Sequence, residues 1–328
     1  MRGLQGLGTN EWLDGMTLAM QQAIQDEVGY GDLVVRMVIR RHGKEYIVLS
    51  KKDGAPFKAI NRFTLYICQL PSGQFGLLKL TPERYPSEQG WNQGEKLTDA
   101  HRLACNEALQ YEAVLLRSLH AKAVALNDPT DPLRSYNYQH FFPHVEEAFE
   151  SDGRYAQIIG YTAEVIKAQS QLISVGRIID PDGQGQQRRV HAKDVVWIAS
   201  RLFKLAGFLQ LDDINVHVQI NMANVLIEPA AHGAILFDWS QAREGAKPKK
   251  AIRSIGRCLW LLAGGTQTDD PPEDDFTDSK QALEFRMWLD RLIEGSIGSP
   301  LEEQRQMYAM AESFWGPRRF HAFEVFEL

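Results

Sequence analysis

The chain is 328 residues long with a formal net charge of −6 and an isoelectric point near 5.9. No global basic field therefore points to nucleic acid or to an anionic membrane surface. No apolar run approaches the roughly 20 residues needed to span a bilayer, and the opening Met1-Arg2-Gly3-Leu4-Gln5-Gly6 lacks the apolar core of a secretory signal. The expectation is a cytoplasmic protein with neither membrane nor nucleic acid among its partners. Cys68, Cys105 and Cys258 are far apart and odd in number, which fits reduced core thiols better than disulfides or a metal cluster.

Trp12, Met16, Met20, Ile24 and Val28 recur every four residues, which predicts an amphipathic helix over 10–28. Its apolar stripe has to dock, in the simplest case on this chain. Gly29-Tyr30-Gly31 ends it, and 33–39 is a strand candidate. From Tyr46 the pattern turns to strands, at 46–50, 63–70 and 75–80, the last two joined by the turn Pro71-Ser72-Gly73-Gln74. Between the first two lies Asp53-Gly54-Ala55-Pro56-Phe57, with one glycine and one residue that has no N–H.

Lys79 sits in the apolar strand 75–80. The helix expected over 98–120 places Leu109, Glu112, Ala113 and Leu116 on one face. A carboxylate within an apolar stripe calls for an inward cation, because an unpaired buried charge is costly. The residues alone leave that cation open between Lys79 and Arg117 or its neighbours. Residues 121–140 read as a polar, proline-containing loop. His144–Phe149 and Tyr155–Tyr161 read as a hairpin around Ser151-Asp152-Gly153. A surface loop over 180–192 leads to a helix with Asp194 as its N-cap and a buried face of Val195, Ile198, Ala199, Leu202, Leu205, Ala206 and Leu209.

In the stretch 216–240, Val225–Ile227 and Ile235–Phe237 are two short apolar strands, and Glu228–Gly233 turns the chain between them. Asn224 enters the first strand and Asp238 leaves the second, so one hairpin holds both side chains near each other. An amide oxygen and a carboxylate so placed are hard ligands suited to Mg²⁺ carrying a nucleotide's phosphates. Gln241–Lys250 is short and polar, and Lys247, Lys249, Lys250 and Arg253 read as a solvated face. Asp269–Asp278 is a loop kept from helix by two prolines. Helices around 279–294 and 300–315 follow, and the aromatic end Trp315–Phe320 packs on them.

His217-x-Gln219-x-Asn221-x-x-Asn224, then a hairpin, then Asp238-Trp239-Ser240, resembles the catalytic and metal-binding loops of the protein-kinase-like superfamily. That family's pattern is H-x-D-x-K-x-x-N, a hairpin and D-F-G. The resemblance implies an α+β, two-lobed fold: an antiparallel sheet plus one helix in the N-lobe, and a mainly helical C-lobe. It sets 1–45 apart as an N-terminal helical extension, 46–162 as the N-lobe and 163–328 as the C-lobe.

It further implies ATP or ADP with Mg²⁺ as the ligand. Lys79, paired with Glu112, faces the phosphates, and Gly54 lies in the loop that covers them. Ile159, Gly160 and Tyr161 form the hinge beside the adenine, and Asn224 and Asp238 hold the metal. The sequence departs from the family where chemistry is concentrated. Gln219 stands at the catalytic Asp position, Asn221 at the catalytic-loop Lys position and Ala251 where an Asp braces the loop. The Ala-Pro-Glu that closes a peptide-binding segment is absent. The implied function is a pseudokinase, a regulatory or binding module with a protein partner and little or no phosphoryl transfer. An atypical ATP-dependent phosphotransferase or nucleotidyl transferase is the alternative, and a structural assembly protein that binds no nucleotide is the second.

Overall fold

The structure is a computed structural model that describes residues 33–56, 58–60, 62–87, 93–127, 137–160, 173–180, 187–211, 214–229, 232–266, 268–295, 298–317 and 319–327. The helix expected over 10–28 and the hinge residue Tyr161 lie outside the described residues. The chain divides into two compact units, Met1–Ser118 with Pro143–Thr162, and Leu119–Phe142 with Ala163–Leu328.

In the first unit, β1 (Leu33–Arg41), β2 (Lys44–Lys51), β3 (Lys58–Ala59), β4 (Thr64–Gln69) and β5 (Phe75–Leu80) precede helix α1 (Asp99–Leu126), and β6 (His144–Ser151) and β7 (Arg154–Gly160) follow it. They make one antiparallel sheet in the order β1-β2-β4-β5-β7-β6, with β3 paired to β4. Asp152 and Gly153, at φ +53 and +70, form the tight turn between β6 and β7, of the kind whose twist suits paired strands.

His42 and Gly43 do the same between β1 and β2, at φ +48 and +75. β1 is paired with β2 from Leu33↔Lys51 to Arg41↔Lys44. The sheet therefore begins at Leu33, within the stretch set apart above as a helical extension. Helix α1 also runs on to Leu126, because Ala121-Lys122-Ala123-Val124-Ala125-Leu126 is rich in helix formers. The polar loop expected from residue 121 starts after it.

The sheet curls on itself. The Arg41 guanidinium lies 5.0 Å from the Phe149 ring centroid, and His42 Nδ1 lies 3.1 Å from Glu147 Oε1, so the β1–β2 turn meets β6. Ile39, Tyr46, Val48, Tyr66, Cys68, Leu78 and Ile158 fill the interior. Strand alternation turns Lys79 to the opposite face, where Leu109, Ala113 and Leu116 of α1 are fully buried. Burial pushes the Cys68 and Cys258 thiols up to about 12, which keeps both protonated and inert.

In the second unit, a 3₁₀ turn (Tyr138–Phe141), β8 (Ile173–Ser174), α2 (Val175–Ile179) and β9 (Arg188–Val190) come before α3 (Ala192–Phe208). Then follow β10 (Val216–His217), β11 (Val225–Glu228), β12 (Gly233–Leu236), β13 (Arg243–Glu244), α4 (Pro248–Leu262), α5 (Ser279–Glu294), α6 (Pro300–Trp315) and β14 (Val325–Glu327). Val195, Ile198, Ala199, Leu202 and Leu205 of α3 are essentially inaccessible to solvent, and the helix packs on α4 and α6. Gly256 of α4 has a packing reason: a Cβ there would lie 2.7 Å from that of Leu292 on α5. A sheet with one helix in one unit and a mainly helical second unit make the α+β fold class that the resemblance implied. Among the described residues no helix is long and apolar enough to cross a membrane.

The N-cap of α3 is His191, whose ring nitrogen accepts from Lys193 N, not Asp194 as expected. Asp194 is fully buried in the first turn and accepts from Trp197 Nε1 at 2.9 Å and from Glu324 N at 3.2 Å. The chain end recruits it. β14 pairs with β9, and the His232 ring is stacked between Trp197 and Phe320, each 4.6 Å away. The acidic loop contributes too: Asp274 and Asp275 each accept from the Arg189 guanidinium at 2.8 Å.

Glu303 on α6 is fully buried, and neither carboxylate oxygen has a hydrogen-bond partner among the described residues. Burial pushes its pKa upward against the opposing pull of Arg291. With the folded value raised, this group favours folding most below the unfolded value of about 4.3, and that contribution is lost as pH rises through the folded value. Glu303→Gln is therefore expected to stabilise the protein at pH 7.5 by about 1 kcal/mol or more, and hardly at all at pH 4.5. Urea midpoints at the two pH values check it. A variant whose stability difference does not change with pH refutes it.

Candidate functional site

The first group of candidate residues lies within the sheet and helix of the first unit. Register places Lys79 between Leu65 of β4 and Gln157 of β7, facing α1. Its Nζ donates to both Glu112 oxygens at 2.8 Å. Gln157 Nε2 donates to Glu112 Oε2 at 2.7 Å. The Phe63 ring covers the ammonium, its centroid 4.0 Å from Nζ. Lys79, Glu112 and Gln157 are all 0% exposed. The structure thus brings together the predicted pair, fully buried in the first unit. A buried pair with such geometry is a strong, charge-assisted contact.

Sequence reasoning did not single out Gln157 or Phe63. It also missed Asn106, which fastens α1 to the sheet. Asn106 Oδ1 accepts from Thr81 Oγ1 at 2.7 Å and from Tyr155 N at 2.9 Å, while its Nδ2 donates to Gly153 O at 2.9 Å. A helix position adjoining a buried stripe and occupied by Asn was the available signal, and it is weak.

Gly54 serves the turn rather than a phosphate cradle. It takes φ +80, and its N–H donates to Lys51 O at 2.8 Å. Ala55 N–H donates to Asp53 Oδ1 at 2.9 Å, and Pro56 has no N–H to offer. These consecutive positions therefore aim no free donor outward. At the expected hinge, Ile159 is paired with Leu77 on one side and Val145 on the other, so its backbone belongs to the sheet interior. Gly160 is paired with His144, and a Cβ there would meet Leu70 Cδ1 at 2.9 Å. Close packing accounts for this glycine.

The second group lies on the hairpin of the second unit, where β11 and β12 pair from Val225↔Leu236 to Glu228↔Gly233. Phe237 N donates to Asn224 O at 2.8 Å, which closes the open end of the hairpin on the residues where Asn224 enters and Asp238 leaves. Asn224 is buried, and its amide works inside its own loop. Its Oδ1 accepts from Asn221 N at 2.8 Å and its Nδ2 donates to Gln219 O at 2.6 Å. Asn221 Oδ1 in turn accepts from Ala223 N and Asn224 N, at 2.9 and 3.1 Å. The side chain at the lysine position thus makes an Asx turn, whereas Gln219 is exposed.

Asp238 Oδ1 accepts from Ser240 N at 3.1 Å and Ser240 Oγ at 2.7 Å. Trp239 is wholly buried, donates Nε1 to Leu236 O at 2.8 Å and meets Phe142 edge to face. The next segment turns straight back: β13 pairs with β10, and Gly245 N and Ala246 N donate to the main-chain and side-chain oxygens of Asn215. Burial, then the charges of Lys250 and Lys247, push the His217 pKa down, so this ring is neutral at pH 7. In donor type, Asp238 and Asn224 suit Mg²⁺ bound to phosphates.

No protein-family model matches the sequence, and no curated relative matches it. Among solved structures the chain is similar to the PknI kinase domain of Mycobacterium tuberculosis. A double mutant of that domain has a TM-score of 0.48 and 15% identity, covering 81% of this chain and 96% of that one. The PknI domain in another crystal structure has a TM-score of 0.46 and 15% identity, with 81% and 95% covered. At these scores the likeness assigns neither an activity nor a site.

Proposed function

We propose that the chain is a kinase-like binding module that does not transfer phosphoryl groups, a pseudokinase acting on a protein partner in the cytoplasm. The observation that carries this reading is Asn221, at the catalytic-loop lysine position, whose side chain accepts from Ala223 N and Asn224 N in an Asx turn and brings no cation to a transferring phosphate. Gln219 adds support, because its amide accepts a hydrogen bond but does not take up the proton of an attacking hydroxyl. So does the segment after Asp238, which folds back on β10 instead of forming a platform for a peptide.

A second reading, in which the module still holds Mg-nucleotide, is favoured by the oxygen donors of Asn224 and Asp238 at one hairpin end. In it the two side chains hold Mg²⁺, which neutralises the phosphates, and Ser240 orients the Asp238 carboxylate. Melting curves with Mg-ATP and Mg-ADP, together with radiolabel transfer to generic protein substrates, test both readings. No label transfer is expected. Ligand at 100 times its Kd adds about 2.7 kcal/mol, so a Mg²⁺-dependent rise in melting temperature that Asp238→Ala abolishes establishes the second reading. Label transfer that disappears in Asp238→Ala overturns the first.

A further inference from the structure

The curled sheet encloses a cavity of about 190 Å³ on the side opposite Lys79. Its floor is apolar, made by Tyr66, Leu78, Leu80, Phe149 and Ala156, and its rim carries Arg36, Arg84, Arg154 and Glu83. Arg84 and Arg154 outnumber the rim's one carboxylate, Glu83. Arg154 donates Nε to Thr81 O at 2.8 Å, and Arg84 donates Nη1 to Gly94 O at 3.0 Å. Among the described residues, neither has a carboxylate within ion-pair distance. Arg36 donates to Gly54 O at 2.5 Å, its guanidinium 5.0 Å from the Tyr66 ring centroid.

A half-buried guanidinium cannot shed its proton, and a charge withdrawn from water without a counter-charge is costly. Burial indeed depresses the Arg154 pKa. The fork of N–H donors matches a carboxylate or phosphate. A cavity of about 150 Å³ lined by aliphatic and aromatic side chains holds one benzene ring. The larger space beneath these arginines has room for a ring and a small head group.

We propose that this cavity is a binding site for a compact organic anion, with an apolar body of ring size on Tyr66, Leu78 and Phe149 and a carboxylate or phosphate head on Arg154 and Arg84. The site is separate from the nucleotide reading and does not depend on it. Calorimetric titration of the full chain with benzoate, phenyl phosphate, inorganic phosphate and the neutral benzyl alcohol tests the proposal. At least one of the two organic anions is expected to bind in the millimolar range or tighter, as small ligands of this size do. It should bind at least tenfold more tightly than benzyl alcohol or inorganic phosphate, and the preferred anion identifies the head group.

Arg154→Met is expected to weaken that binding at least tenfold. Arg84→Met, at the rim, should weaken it severalfold, and it covers the case in which loss of the Arg154 bond to Thr81 prevents folding. Melting curves establish that each variant is folded. Absence of binding by both organic anions overturns the proposal. So does equal binding of benzyl alcohol or inorganic phosphate, or unchanged affinity in the folded variants.

Discussion

Lys79→Met and Glu112→Gln are each expected to cost about 3–5 kcal/mol of folding stability, the toll of removing one partner from a buried ion pair. The lysine variant leaves a carboxylate that keeps the Gln157 donor but has lost its cation, and the glutamine variant leaves an ammonium under Phe63. Both survivors are 0% exposed, so water does not compensate. The total stability of a domain is about 5–15 kcal/mol, and either variant takes a large share of it. The double variant Lys79→Met with Glu112→Leu removes both charges and fills the space with apolar volume. It should recover most of the loss, since apolar replacements of buried pairs are often neutral or better. Urea unfolding of the two single variants and the double variant measures the coupling. Single variants within about 1 kcal/mol of the parent would show the pair to be solvated in solution, which would refute its burial.

Much of that cluster was legible because it depends on local periodicity. A glutamate inside the stripe Leu109, Ala113, Leu116 announces a buried cation, and the resemblance to the kinase pattern named Lys79 as that cation. The hairpin at 225–236 and the helices near 279–294 and 300–315 were legible for the same reason. What escaped depends on long-range placement. Gln157 reaches Glu112 across 45 residues of sequence, and Asn106 ties Thr81 and the β6–β7 hairpin to its own helix. Neither contact leaves a periodic trace. Asp194 shows how tertiary structure overrides a local rule. An aspartate at a helix start suits a cap, yet the returning chain end offers it Glu324 N and a histidine at residue 321, and His191 caps instead. Motif position alone likewise said nothing of whether Asn224 faces a metal or its own loop.

Asn224→Ala is expected to destabilise the second unit by about 1–3 kcal/mol, because the substitution leaves Asn221 N–H and Gln219 C=O without their partner in a half-buried loop. Asn224→Asp separates this clamp from a metal-ligand role. The aspartate keeps an acceptor for Asn221 N but sets a carboxylate oxygen against Gln219 O, where Asn224 Nδ2 now donates at 2.6 Å. If the amide is chiefly a clamp, Asn224→Asp should lose about 1–3 kcal/mol without Mg²⁺, the penalty of a lost donor and an unsatisfied carbonyl. If it is chiefly a metal ligand, the same change adds a charged oxygen for a hard cation. Stability without Mg²⁺ should then stay near the parent's, and Mg²⁺-dependent stabilisation by nucleotide should persist or increase. Urea unfolding with EDTA and with Mg-ADP reads both quantities in one series. An Asn224→Asp protein as stable as the parent in EDTA refutes the clamp. One that falls with Asn224→Ala, and gains nothing from Mg-ADP, leaves the conserved-looking motif as a piece of loop architecture whose hydrogen bonds hold Gln219 in place.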